Sequence, residues 1–525
     1  MAIPIGTTSR QLGALVRWMY VGVVVLGMLT CWWPSYRGWG AVVGGLLVAL
    51  VLWLCWQTLT INRTVWGHPV YVVFLIPAAV LTYHLARTGM AAQIEGAEGL
   101  GGAINLSMIL HLALLGLAVM LSQSLLPKAG EHVSVVSICG GAMMIGAIVP
   151  ILLDEVRPVH SALAMVGFVG VAVWLSPLWH GSLAALPPGL QAARHRELRW
   201  ACLAVAAVAG GILAWACPGE AVLVAGAAAV TFLVARLVLP RRRRGSLTIW
   251  AALVALAAAA LGMRFGPPWL GKWAPWCGWL GRGEAAFADV GAGDDGLAIL
   301  AQTVGWPATS LVVAGLAACL VMFLLRAGRG HAGDQAQAIV WCLASLFSVC
   351  AMLSPGGLFV PAVALAVGFT WGLMPAVAGR PVRPRSGAVI LVILVAVMLL
   401  LGVSRSGGPV LWAAKSFWTG RMTDKFLHWC VGLILAMVMA WLMGSRTFWW
   451  GLVGIVLAAL AGGLGELLQG ITITRRTVEY ADWAVHAIGS AVALIPYTLC
   501  MGARLCESVD AYAPQDDAGR GYYFI

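Results

Sequence analysis

Three apolar stretches near the C-terminus each carry two polar side chains at helical spacing. Residues three or four positions apart lie one above the other on a helix, so each pair would occupy one helix face. Polar and ionisable groups inside a membrane are costly unless they face protein or water, which makes them functional candidates. Imidazoles and carboxylates can transfer protons or bind metal ions. The pairs are Asp424 and His428, Glu466 and Gln469, and Asp482 and His486.

Basic side chains accompany these pairs. Lys425 follows Asp424, and Arg475 and Arg476 lie between the second and third stretches. The planar fork of arginine suits a phosphate or a carboxylate. We therefore predict one shared site with two kinds of residue. The predicted catalytic residues are His428, Glu466 and Asp482, and the predicted substrate-binding residues are Asp424, Lys425, Gln469, Arg475, Arg476 and His486.

Neither a metal nor a cofactor is predicted. No single helix carries a His-x-x-x-His pair or a comparable pair of ligands. The 12 cysteines include no Cys-x-x-Cys motif and lie mostly in apolar runs, which is typical of small buried side chains. No phosphate-binding loop or dinucleotide fingerprint is present either.

A structural interpretation of the same residues stays open at this stage. Asp424 and Asp482 would cap helix N-termini, where the helix dipole favours anions. Polar bonds between membrane helices contribute about 0.6–2 kcal/mol each, enough to explain the cluster without chemistry. Glu466 differs, because it lies near the end of its helix, where the dipole disfavours an anion.

The order of these motifs resembles that of the VanZ family of membrane proteins. The shared pattern is Asp-Lys-x-x-His, then Glu-x-x-Gln, an arginine-bearing loop, and Asp-x-x-x-Asn-x-x-Gly, which ends here at Gly489. His486 stands where the family has Asn, and Ala493 where it has a second Gly. The resemblance covers about the last quarter of the chain. It implies a four-helix membrane module and an association with glycopeptide resistance, but no settled reaction.

The composition is that of a membrane protein. Of the 525 residues, 61% are hydrophobic and 10% are charged, against about 25% charged residues in a typical soluble domain. Because a membrane helix needs roughly 20 apolar residues, we predict an all-α, polytopic integral membrane protein with about 16 transmembrane helices. The spans are centred near Val23, Leu47, Leu75, Leu115, Met144, Gly167, Ala207, Ala227, Leu256, Val313, Ser348, Leu365, Val395, Ile434, Val456 and Ala491.

The loop charges predict an orientation. The net charge of +12 comes largely from arginines in short loops, so it indicates topology and contact with anionic lipid rather than a nucleic-acid partner. Strongly basic loops follow even-numbered spans, as at Arg196, Arg243 and Arg383, whereas acidic residues such as Glu284 follow odd ones. The positive-inside rule then places both termini in the cytoplasm and the polar pairs at the outer face of the inner membrane.

The chain divides into four predicted segments. Residues 1–379 form a membrane bundle of about 12 spans, residues 380–386 a basic linker, residues 387–505 the VanZ-like module, and residues 506–525 a polar tail. Near the end of the bundle, Gln302–Pro307 faintly resembles the closing motif of the O-antigen ligase and polymerase family. Thr303 and Ala308 replace that family's Glu and final Gly, and an ordinary membrane bundle is the alternative.

Two function classes follow from these expectations. The first is an envelope protein that binds or processes a lipid-linked or polysaccharide component at the outer face of the membrane. The second is a non-enzymatic transporter or a scaffold that partners other envelope proteins. Few intramembrane charges are apparent in the first twelve predicted spans, which disfavours an ion-coupled carrier.

The orientation is testable by cysteine labelling in intact cells. In a cysteine-free background, single cysteines replacing Arg196, Arg243 or Arg383 should resist an impermeant thiol reagent, because the positive-inside rule places them in the cytoplasm. Cysteines replacing Glu284 or Arg475 should react. Labelling of Arg383→Cys together with protection of Arg475→Cys would reverse the orientation of the module.

Overall fold

A computed structural model describes much of the chain and shows only helices there. The described residues are 5–31, 36–60, 100–126, 133–153, 160–175, 306–327, 332–354, 360–377, 422–443, 447–472 and 479–512, with residues 204, 208, 211, 212, 300 and 357. Every regular element in these ranges is an α-helix, which confirms the all-α prediction for this part of the chain.

The helices are numbered here in chain order. The N-terminal part contributes α1 (Ile5–Leu29), α2 (Tyr36–Thr60), α3 (Leu100–Leu125), α4 (Val133–Leu152), α5 (His160–Leu175), α6 (Trp306–Ala327), α7 (Ala332–Leu353) and α8 (Pro361–Val377). The C-terminal part contributes α9 (Met422–Met443), α10 (Phe448–Thr472), α11 (Tyr480–Val492) and α12 (Leu494–Tyr512).

Within the described ranges, 5 segments are long and apolar enough to cross a membrane. Others are shorter, such as α5 with 16 residues and α8 with 17, below the roughly 20 that a crossing needs. The predicted span centres at Leu75, Ala207, Ala227, Leu256 and Val395 lie outside the described residues, and every other predicted centre falls within a helix. The five segments are Arg10–Leu29, Ala41–Leu59, Val135–Leu152, Phe448–Leu467 and Tyr480–Arg504.

The last of these segments contains a helix break. Helix α11 ends at Val492 and α12 begins at Leu494, although Ala493 keeps helical backbone angles (φ −61, ψ −21). Pro496 has no N–H to donate to the carbonyl four residues earlier, which explains an interruption at this point. The two helices therefore form one slightly irregular span.

The predicted N-terminal bundle and C-terminal module are packed against each other. Helix α2 contacts both α9 and α12, and the rings of Trp53 and Trp441 have centroids 5.6 Å apart. Trp53 also donates a hydrogen bond to Ser124 on α3. The predicted linker, residues 380–386, lies outside the described residues.

Helices α9 and α11 run parallel with their backbones in close contact. A side chain at Gly432 would overlap the carbonyl group of His486, and one at Gly489 would overlap the carbonyl group of Trp429. Ser490 Oγ lies 3.2 Å from the Gly432 carbonyl oxygen, to which it donates. Small residues allow membrane helices to approach in this way. Helix α10 packs against both of them.

Replacing Gly432 with alanine should separate these two helices. The new methyl group would meet backbone atoms of α11, which cannot move aside as a flexible side chain would. We expect a loss of about 1–3 kcal/mol in the free energy of unfolding, the usual effect of overpacking, measured as a lower melting temperature in detergent.

Gly502→Ala is the matched control, because nothing lies within 4 Å of the methyl group that it would add. Alanine is the better helix former by up to about 1 kcal/mol, so this variant should be as stable as the natural protein or more so. Equal melting temperatures for the two variants would contradict the close approach of α9 and α11.

Candidate functional site

Three helices bring an imidazole and two carboxylates together. His428 lies on α9, Glu466 on α10 and Asp482 on α11, and one nitrogen or oxygen atom of each lies within 4.8 Å of those of the other two. We call these three residues the polar group. Glu466 and Asp482 are only 6% and 7% exposed. The His428 side chain is 27% exposed, so the group is most accessible at its imidazole.

Lys425 supplies a positive charge beside this group. Its Nζ donates a hydrogen bond to Glu479 Oε2 at 2.8 Å and another to Asp482 Oδ1. Lys425 and His428 are three residues apart on α9, and so share one face of that helix. Two carboxylates within bonding distance favour the charged form of its ammonium group. The lysine is therefore held in its charged form.

The two oxygens of Asp482 face different partners. Oδ1 accepts the bond from Lys425, while Oδ2 lies 3.7 Å from His428 Nε2. The sequence predicted that Asp482 caps α11, and this is wrong. The N-cap residue is Glu479, which makes no side-chain capping bond, and Asp482 is the third residue of the helix. Its carboxylate does not cap α11, because it points across to Lys425 and His428 on α9.

His486 ties α11 to α10. Its Nε2 lies 3.1 Å from the carbonyl oxygen of Ala458, and the residue is 3% exposed. One turn away, Trp483 Nε1 donates to the carbonyl oxygen of Ala459 at 3.1 Å. These contacts give His486 a packing role, and its predicted substrate-binding role stays a prediction.

The structure describes only some of the other predicted site residues. Asp424 is the third residue of α9, in its first turn, and Gln469 follows Glu466 on α10. Arg475 and Arg476 fall in residues 473–478, outside the described residues. Their predicted roles in substrate binding stay predictions.

Sequence reasoning missed Glu479, the second carboxylate on Lys425. Its spacing could have indicated this role. Glu479 precedes Asp482 by three residues, which places both on the same side of the helix. The prediction that no metal binds considered only pairs of ligands within one helix. His428, Glu466 and Asp482 can each offer one ligand atom from a different helix.

The two ion pairs of Lys425 should differ in strength. Asp482→Asn removes a charge whose side chain is 10% exposed, so we expect a loss of about 1–3 kcal/mol in the free energy of unfolding. Glu479→Gln removes a charge that is 57% exposed, and exposed pairs contribute less than about 1 kcal/mol. Thermal melting of the purified variants in detergent measures both effects.

A double-mutant cycle with Lys425→Met tests whether the lysine accounts for the difference. Residues in contact show non-additive effects, whereas independent ones add. We expect Lys425→Met to have a smaller effect in the Asp482→Asn background than in the natural protein. Full additivity would mean that the pair does not contribute to stability.

Comparison with known proteins assigns no family to this geometry. No family model matches the sequence, and neither a curated protein nor a solved structure matches it. The resemblance to the VanZ family rests on the order of the motifs from Asp424 to Gly489.

Proposed function

We propose that the C-terminal module, residues 387–505, binds or processes a lipid-linked or polysaccharide component of the cell envelope. The observation that carries this proposal is the meeting of His428, Glu466 and Asp482 from three apolar helices. Ionisable groups are rare inside membrane helices and mark substrate or proton pathways when they occur. The resemblance to the VanZ family agrees with an envelope role.

The chemistry that fits this group is the transfer of a proton. Histidine is the most frequent general acid or base in enzymes, and a neighbouring carboxylate orients it and stabilises its charged form. Asp482 Oδ2 lies 3.7 Å from His428 Nε2, and this proximity supports such a pairing. Glu466 adds a second carboxylate that can exchange a proton with the imidazole or with the substrate. His428 would be the residue that meets the substrate, because it is the most exposed of the three.

Arg475 and Arg476 are the residues that we propose bind the substrate. Arg475 and Arg476 belong to the segment between the end of α10 at Thr472 and the start of α11 at Tyr480. That segment leads directly to Glu479 and Asp482. Guanidinium groups bind phosphates in a bidentate manner. Because these arginines directly precede Glu479 and Asp482 in the sequence, we assign them the phosphate of a lipid-linked substrate.

The membrane setting belongs to the same proposal. We place the chain in the inner membrane with about sixteen spans and both termini in the cytoplasm, on the basis of segment length and loop charge. The site would then open to the outer face, where lipid-linked envelope precursors are used.

A non-enzymatic scaffold or transporter is the second candidate, and a specific set of contacts favours the scaffold. Lys425, His486 and Ser490 all form polar contacts between helices. Such contacts stabilise a helix bundle without any reaction. The two candidates differ over Glu466, since a scaffold does not need its negative charge.

Glu466→Gln separates the two candidates. The amide keeps the shape of the side chain and most of its hydrogen bonding but removes the charge and the exchangeable proton. We expect the variant to melt within about 1 kcal/mol of the natural protein and to fail to complement a deletion of the gene. Envelope integrity in the deletion strain is the readout, with protein amount checked by immunoblotting.

Glu507→Gln makes the same chemical change on α12 and should complement fully. Full complementation by Glu466→Gln would remove the acid–base role and favour the scaffold.

Binding is tested separately with polyprenyl phosphate in lipid nanodiscs. Native mass spectrometry should show the natural protein retaining it over phosphatidylglycerol, and Arg475→Gln with Arg476→Gln should abolish that preference. An unchanged preference in that double variant would refute the phosphate-binding role.

A further inference from the structure

The polar group places two buried carboxylates close to an imidazole. Lys425 bonds Asp482 and also Glu479, a third carboxylate at the edge of this group. Glu466 and Asp482 are both more than nine-tenths buried. Two buried carboxylates this close repel each other unless a proton or a cation lies between them. A cation bound by both carboxylates is one arrangement that removes this repulsion.

The same residues have the chemistry of a metal site. Imidazole nitrogen and carboxylate oxygen are ligands of zinc, and three protein ligands with one open position are typical of catalytic zinc. Their ligand atoms lie within 4.8 Å of one another. Ligands of one tetrahedral zinc ion, each about 2.0–2.2 Å from it, lie roughly 3.3 Å apart. His428 Nε2 and Asp482 Oδ2 are 3.7 Å apart, close to that separation.

We propose that His428, Glu466 and Asp482 bind one divalent first-row metal ion, zinc or manganese. The protein ligands are His428 Nε2, one carboxylate oxygen of Glu466 and Asp482 Oδ2. The mixture of one nitrogen and two oxygens suits these ions better than magnesium or calcium, which prefer oxygen ligands alone. Each ligand comes from a different helix, which is why a search along single helices predicted no metal.

Lys425 supports this site rather than competing with it. The lysine bonds Asp482 through Oδ1, which leaves Oδ2 for the ion. Ligating carboxylates are commonly held by a further hydrogen bond of this kind, which fixes their orientation. Lys425 is therefore a positioning residue of the metal site.

A bound ion would change how the group handles protons. His428 Nε2 would give its lone pair to the metal and could no longer accept a proton. The acid–base role would pass to a water molecule in the open position, because a metal ion lowers the pKa of bound water towards neutrality. Exposure of the group on the His428 side gives that position access to a substrate.

The test uses the full-length protein, purified in detergent with a tag that contains no histidine and stripped with a chelator. Calorimetric titration with zinc, manganese and magnesium chlorides measures affinity, and elemental analysis after desalting measures stoichiometry. We expect one zinc or manganese ion per chain, a higher melting temperature with the ion bound, and much weaker binding of magnesium. Cobalt substitution should give a visible absorption spectrum of nitrogen and oxygen coordination.

Glu466→Gln and His428→Gln should each weaken binding by about 100-fold or more, beyond the 10–100-fold effect of losing a supporting residue. Glu479→Gln changes a carboxylate on the same lysine outside the ligand set and should alter affinity less than threefold. Melting of each metal-free variant near that of the metal-free natural protein shows that it is folded. Binding that is absent, or that survives both ligand substitutions, would overturn the proposal. No lipid is added, so this result is independent of the lipid-binding test.

Discussion

The parallel contact of α9 with α11 sets the positions of Lys425, His428, Glu479 and Asp482 relative to one another. The closest approach occurs where Gly432 faces the backbone of His486 and Gly489 faces that of Trp429. Two parallel helices in register repeat their contacts at each turn. One turn before the glycine contact, His428 lies opposite Asp482. Nearly one turn before that, Lys425 lies opposite Glu479. In both pairs the residue on α11 comes 54 positions later in the chain than its partner on α9. The backbone contact therefore determines that the imidazole of His428 and the carboxylate of Asp482 face each other.

This register also explains the electrostatic arrangement at the helix ends. Both helices begin at the same edge of the bundle, so the first turns of α9 and α11 bring Lys425 between Glu479 and Asp482. The N-terminal dipole of α11 favours its two carboxylates, and Lys425 adds a direct partner to each. Glu466 enters from α10, the neighbouring helix. It brings the second buried carboxylate of the polar group from a third helix.

Helical periodicity allowed part of this site to be predicted. The spacing of Asp482 and His486, and the spacing of Glu466 within its apolar stretch, indicated which faces turn inward, and their burial agrees. The exact start of α11 was not readable, because Glu479 and Asp482 are both acceptable near a helix N-terminus. The cap was therefore assigned to the wrong residue, and the partner of Lys425 was missed. Spacing along one helix also carries no information about a ligand set that spans three helices.

Structural and functional roles are divided among different residues of the module. The contacts that hold the helices together lie mainly one turn below the polar group, at Gly432, His486 and Ser490. The Lys425–Asp482 pair adds to them from above. The polar group lies between these two sets of contacts, and His428 is its most accessible member. A buried carboxylate beside an accessible imidazole is the arrangement on which the proposed binding or proton-transfer role depends.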